Sequence, residues 1–292
     1  MTIKSQQLAL GGLKNPNPLV TPLVSWILCT HVGGSLLYKA IASCLGQTYV
    51  DFELILVING SDLNSIKQEV MGWGISSDPR LRIYETEVKH LPFSLSLGLH
   101  YARGKYIARM DGDDIAYPHR LQIQVEFMRN NPEISVLGTA FEVIDLLGNP
   151  ISVVRNPLTD DEIRQAMIFK NPICHPTVMF KRDAVEAAGG YLGGYHSEDY
   201  DLWIRLSQYP EIKFANLSRV CLGYRSVGAG AARKSQDAYA SMAGSQLRSF
   251  LISGKTRWFI AALISFIKMT LISLANLVGP HLPHKIDAKN DK

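Results

Sequence analysis

Cysteine is scarce in this chain, and Cys29, Cys44, Cys174 and Cys221 lack the spacing of a zinc or iron–sulfur site. A reducing cytoplasm suits four such scattered thiols. A basic start followed by a sustained apolar run is also missing, because Gln6, Gln7, Lys14 and Asn15-Pro16-Asn17-Pro18 interrupt the first twenty residues. Secretion through a signal peptide is therefore not expected. No internal repeat is present, and the formal net charge of +4 is too small to point to a nucleic-acid partner. The basic residues instead gather late, at Lys255, Arg257, Lys268, Lys285, Lys289 and Lys292, where they suit an anionic surface.

What is present is enough apolar sequence, 47% over 292 residues, for one catalytic domain of roughly 200 residues with an appendage. Val24 to Cys29 and Glu53 to Ile58 are nearly continuous apolar runs of strand length, as expected of parallel strands buried on both faces. Between them Ser35 is a suitable cap for a helix carrying Leu36, Leu37, Ala40, Ile41 and Leu45 before Gly46. The alternation continues with a helix from about Leu63, a strand at Leu81 to Tyr84, a helix near Phe93 to Ala102 and a strand at Lys105 to Met110. Further on, Pro118 suits a first helical position and Asn130-Asn131-Pro132 ends that helix, followed by strands at Ile134 to Ile144 and Thr177 to Phe180. Short helices are expected from Asp183 and Ser197, separated by a Gly189-Gly190 turn. The reading is an α/β protein with a mostly parallel central sheet flanked by helices. It has an extension over residues 1–20, a catalytic domain over 21–235 and a helical C-terminal segment over 236–292.

Asp111-Gly112-Asp113-Asp114 follows the Lys105 to Met110 strand directly. In open α/β sheets ligands bind outside the carboxyl ends of strands, so the cluster falls where a site belongs. Carboxylates this close repel one another, and a divalent cation relieves the repulsion. Hard Mg2+ or Mn2+ prefers such oxygen ligands and leaves room for substrate phosphates. A calcium loop is excluded, because Ala116 stands where its glycine belongs and Gln122 where its bidentate glutamate belongs. Spacing alone also admits a solvated acidic turn.

Three ordered stretches narrow the choice. They are Gln47-Thr48-Tyr49 with Phe52-Glu53-Leu54-Ile55; Gly104-Lys105-Tyr106-Ile107-Ala108-Arg109-Met110 running into Asp111 to Asp114, with Pro118 and Arg120-Leu121; and Gly189-Gly190-Tyr191 with Glu198-Asp199-Tyr200-Asp201-Leu202-Trp203. Over residues 22 to 235 the chain thereby resembles family 2 of the inverting glycosyltransferases, which share the GT-A fold. The resemblance implies a DxD motif in which Asp113 is the principal metal ligand and Asp111 contacts the ribose or the metal. It implies that Thr30 borders the nucleoside and that Asp199, with Glu198 beside it, supplies the base for the acceptor hydroxyl. The donor it implies is a nucleotide diphosphate sugar, UDP-linked, and the acceptor a saccharide, free or lipid-linked, in cell-envelope glycan synthesis.

The chain departs from the family at Ile58-Asn59-Gly60-Ser61, which lacks the usual first carboxylate. Asn59 either reads a base edge or stabilises the turn before Gly60. Glu198 and Asp199 alternatively serve the first turn of a helix capped by Ser197. Arg225 and Lys234 are either basic donor contacts on a closing loop or members of a solvated linker. His175 and His196 either reach the acceptor or metal or are structural. Two other functions remain open: a nucleotidyltransferase, which needs a basic loop that Cys29 to Gly34 lacks, and a catalytically silent membrane-associated binding module.

Residues 258–279 are long enough as a helix to cross a bilayer. Lys268 near the middle opposes spanning at a cost of about 2.5 to 3.5 kcal/mol. Ser265, Lys268, Ile272 and Asn276 share a face, so the segment reads as amphipathic and as a peripheral contact on the cytoplasmic face of the inner membrane, with packing on the protein and spanning as its competitors.

Overall fold

The structure is a computed structural model that describes residues 21–194, 196–226 and 235–278. Val24–Thr30 (β1) and Phe52–Asn59 (β2) pair in parallel around Ser35–Leu45 (α1), which begins one residue after its Gly34 cap. Leu63–Gly72 (α2), Leu81–Thr86 (β3), Leu91–Tyr101 (α3) and Tyr106–Asp111 (β4) continue the alternation, giving a parallel order β3-β2-β1-β4. Such a crossover topology buries both sheet faces, and β2 is buried at every position.

The remaining strands make the nine-stranded sheet mixed. After the two-residue Ile115–Ala116 (β5) and the helix Arg120–Asn130 (α4) come Ile134–Ile144 (β6), Pro150–Val154 (β7) and Asp160–Met167 (α5). Met179–Lys181 (β8), Arg182–Ala187 (α6), Glu198–Leu206 (α7) and Lys213–Arg225 (β9) complete this part of the chain. The strand β8 runs antiparallel to both β4 and β6, whereas β6 and β9 pair in parallel. Pro118 lies two residues before α4, and its carbonyl accepts from the Thr48 amide at 2.9 Å.

Alternation along the strands sorts the core into two layers. Trp26 and Leu28 of β1 pack with Ile41 of α1 and Val125 of α4 on one face, while Ile27 packs with Leu95 of α3, Met167 of α5 and Trp203 of α7 on the other. Close approach requires glycine at Gly104, where a Cβ atom would lie 2.5 Å from the Ser25 amide nitrogen. Gln236–Ser253 (α8) and Thr256–Val278 (α9) follow, and Gln246 of α8 donates to the Ile168 carbonyl at 3.0 Å and the Tyr200 hydroxyl at 2.9 Å.

A buried carboxylate ties the first strands together. Glu53 is 2% exposed and accepts from Ser25 Oγ at 2.6 Å, the Arg103 amide at 2.9 Å and Arg82 Nη1 at 2.7 Å. Burial pushes its pKa up, but the bonds from Arg103, Ser25 and Arg82 outweigh it and leave the carboxyl below its ordinary value. Its stabilising contribution is thus present above the ordinary carboxylate range and lost as pH falls through the lowered value. We expect Glu53→Gln to cost about 1–3 kcal/mol in denaturant unfolding at neutral pH. The gap from wild type should narrow at acid pH.

Candidate active site

The strand β4 is buried from Tyr106 to Met110 and opens only at Asp111. Arg109 and Asp111 point to the same side of it, two residues apart. The Arg109 fork grips the Asp111 carboxylate, with Nη1 donating to Oδ2 at 2.9 Å and Nη2 to Oδ1. The guanidinium is buried and Asp111 partly open, so a fixed cation backs a carboxylate that faces outward. Burial, followed by the charge of Asp111, raises the pKa of Asp113. The same two causes hold Asp114, which is fully buried, well above the ordinary range.

Arg225 braces this turn from below. Its amide donates to Asp114 Oδ1 at 2.8 Å and its Nε to the Asp113 carbonyl at 2.7 Å, while Nη1 reaches the Asp145 and Leu146 carbonyls. The Asp114 carboxylate is therefore turned into the protein, whereas those of Asp111 and Asp113 remain partly open. These two offer hard oxygen donors whose mutual repulsion a divalent cation relieves, and the set fits Mg2+ or Mn2+.

The Glu198-Asp199 pair begins α7, close to the short turn His175–Thr177 that precedes β8. Because β8 runs antiparallel to β4, this turn lies beside the end of β4, and the Arg109 amide donates to the Val178 carbonyl at 3.1 Å. His175 Nδ1 lies 3.5 Å from Glu198 Oε1 and its Nε2 2.9 Å from the Tyr191 hydroxyl. Asp199 accepts from Asn171 Nδ2 at 2.6 Å and from the Tyr200 amide at 2.8 Å. Among the described residues Ser197 supplies no side-chain cap and its buried hydroxyl has no partner. Burial raises the pKa of Asp199 and outweighs the His175 charge and the bonds from Tyr200 and Asn171.

Glu198 diverges from its neighbour. Burial pushes it up, but hydrogen bonding and charge from His175, with a contribution from Arg109, bring it below its ordinary value. Adjacent carboxyls with opposite shifts suit a division into a fixed anion and a proton acceptor. One ligand atom each from His175, Glu198 and Asp199 lie within 4.8 Å of one another, a metal-like spacing. His175 Nε2 and both Asp199 oxygens, however, already face Tyr191, Asn171 and the Tyr200 amide, while His175 Nδ1 faces Glu198 within the group.

Arg109 links the two acidic groups, since its charge acts on Asp111, Asp113 and Glu198 alike. Sequence reasoning missed it, although an arginine inside an otherwise apolar strand was a usable signal: a buried charge must be paired. Asn171 carried no such signal.

Thr30 ends β1 opposite the cluster, 3.5 Å from where a Cβ on Gly112 would lie, and its hydroxyl donates to the Val32 carbonyl at 2.6 Å. Asn59 is 5% exposed and donates to Ser94 Oγ at 2.8 Å, so its amide nitrogen is engaged within the fold. His196 is exposed, with a left-handed backbone at φ 58°. Lys234 lies outside the described residues.

Comparison with known proteins completes the picture. Residues 25–189 match the family described as Glycosyl transferase family 2. The O-antigen biosynthesis glycosyltransferase WbnJ of Escherichia coli is 36% identical over 250 residues, covering 85% of this chain and 97% of WbnJ. The amylovoran biosynthesis glycosyltransferase AmsE of Erwinia amylovora is 32% identical over 190 residues, covering 65% of this chain and 70% of AmsE. Among solved structures, the mannosyltransferase PcManGT from Pyrobaculum calidifontis, in complex with GDP-Man and Mn2+, superposes with a TM-score of 0.61 at 14% identity, covering 90% of this chain and 78% of that one. TarS 1-349 of S. aureus with UDP-GlcNAc gives 0.60 at 14% identity, with 85% and 72% covered. At such identity these likenesses speak for the GT-A fold alone. Through the family match and the length shared with WbnJ, the chain belongs to glycosyl transferase family 2 and is a glycosyltransferase.

Proposed function

We propose that the protein is a metal-dependent, inverting enzyme that moves a sugar from a UDP-linked donor to a saccharide hydroxyl in the synthesis of a cell-envelope polysaccharide. The observation that carries this reading is the turn after β4, where Arg109 and Arg225 hold the Asp111 to Asp114 cluster with two carboxylates partly open, while the charge of Glu198 in the second acidic pair also reaches Arg109. The donor class draws support from the UDP-GlcNAc complex of TarS and the GDP-Man and Mn2+ complex of PcManGT. Polysaccharide synthesis draws on the names of WbnJ and AmsE.

Asp111 and Asp113 would hold the cation, which supplies charge neutralisation for the departing nucleoside diphosphate. Arg109 holds the Asp111 carboxylate in one orientation, and Arg225 fixes the backbone of the turn beneath. Asp199 accepts the acceptor hydroxyl proton as the new bond to the anomeric carbon forms and the bond to the diphosphate oxygen breaks. Attack from the face opposite the leaving group inverts that carbon. Thr30 and Asn59 would border the nucleoside, and Lys234 would close on the diphosphate. A lipid-linked acceptor would place the work on the cytoplasmic face of the membrane.

A panel of nucleotide sugars, assayed for manganese-stimulated release of nucleoside diphosphate, tests the reading. Asp113→Ala should abolish the stimulation and weaken manganese binding in titration calorimetry. Equal stimulation in both proteins would remove Asp113 from the metal site.

A further inference from the structure

The helix α9 leaves most of its large apolar side chains outside the core. Ser265 is 4% exposed and donates to Gln246 Oε1 at 2.8 Å, while the exposed Lys268 holds its Nζ 5.6 Å from the centre of the Tyr239 ring of α8. Its small residues Ala261 and Ala262 are buried beside Trp258. The outward stripe is apolar, with Phe259, Ile260, Leu263, Phe266, Ile267 and Leu271 each between 47% and 60% exposed. A helix that served only to complete a soluble core would turn these side chains inward. Leu251 and Ile252 at the end of α8 extend the surface.

The sequence from the middle of α8 through α9 carries one sign of charge. Between Asp237 and Asp287 the sequence contains no acidic residue, while Arg248, Lys255, Arg257, Lys268 and Lys285 all fall there. Arg248 is committed to Asp201 at 2.6 Å, whereas Lys255 and Arg257 are exposed at the corner where the stripe begins.

We propose that the outward face of α9 docks into an anionic lipid leaflet, with the helix lying in the plane of the interface. Acyl chains receive the apolar stripe and lipid phosphates receive Lys255 and Arg257. Spanning is disfavoured for a reason beyond the charge of Lys268: crossing would strip α9 from α8, breaking the bond between Ser265 and Gln246 and leaving the Ser265 hydroxyl in hydrocarbon. A second copy is a poorer occupant, because self-association would set the exposed Lys255 and Arg257 of two copies at like-charged corners of one interface. The surface is independent of the donor and metal assignments above.

The test is flotation of the full-length protein with phosphatidylglycerol–phosphatidylcholine vesicles and with phosphatidylcholine alone. Binding should favour the anionic vesicles and weaken with salt. The double variant Leu263→Gln/Ile267→Gln should lower partitioning at least about tenfold while thermal unfolding and nucleotide binding stay as in wild type. Lys255→Glu/Arg257→Glu leaves the apolar stripe intact and should remove the preference for anionic lipid. The proposal fails if the protein does not float, or if neither double variant changes partitioning. It also fails if alkaline carbonate leaves the wild type embedded, or if Leu263→Gln/Ile267→Gln disperses a soluble dimer without altering flotation.

Discussion

Asp199→Asn is expected to lower the transfer rate by about 10²–10⁴-fold while leaving the affinity for nucleotide sugar unchanged. The amide is nearly isosteric with the carboxylate and keeps one acceptor for the Asn171 or Tyr200 donors that hold Asp199. What it loses is the capacity to take a proton. On the proposed reading donor binding belongs to the turn after β4, to which Asp199 is tied through the charges around Tyr191 and Arg109. A drop in donor affinity equal to the drop in rate would assign Asp199 a structural role instead.

The pH profile sharpens that test. Burial raises the Asp199 pKa, so the fraction ionised, and with it the rate, should begin to fall at a pH above the ordinary carboxylate range as the medium is acidified. Asn171→Leu removes a donor that favours the ionised form, so it should move this acid limb to still higher pH, measured as the midpoint of kcat against pH. A merely structural Asn171 would lower the rate without moving the limb.

Much of the frame was legible because apolar periodicity and strand order act locally. The runs at β1 and β2, the strand ahead of Asp111 and the full length of β6 were visible as hydrophobic pattern. The antiparallel insertion of β8 between β4 and β6 was not, since pairing partners far apart in sequence leave no periodic signature. The helix α5 was missed although Thr159 and Glu162 form a capping box that the sequence spells out. At the site, motif positions and structural clamps looked alike. Gln47 joins the end of α1 to the start of α4 by donating to the Tyr117 carbonyl at 3.0 Å and accepting from the Leu121 amide at 3.0 Å. Arg120 donates to the Arg109 carbonyl at 2.8 Å and stacks 4.8 Å from the Trp26 ring. In the tail, the sequence placed Ser265 and Lys268 on one face, whereas the structure buries Ser265 and leaves Lys268 exposed against the Tyr239 ring.

Arg109→Met is expected to destabilise the fold by about 3–5 kcal/mol at neutral pH, because it leaves Asp111 without its fork and withdraws a countercharge from Glu198. Glu198 is held below its ordinary value, after burial has pushed it up, by His175 and by Arg109. Its contribution is present above the ordinary carboxylate range and lost as pH falls through the lowered value. The deficit of the variant should therefore shrink on acidification, whereas a pure packing defect would persist. On the proposed metal site, a cation at Asp111 and Asp113 would supply charge in the same place, so manganese should raise the Tm of Arg109→Met by more than it raises that of wild type. Arg109→Lys separates charge from geometry, since a lysine restores the countercharge but not the two-pronged grip on Asp111. It should recover much of the stability and little of the transfer rate. Full recovery of both would mean that Arg109 acts as charge alone; recovery of stability without rate would mean that the orientation of Asp111, rather than its ionisation, is what the buried guanidinium supplies to the site.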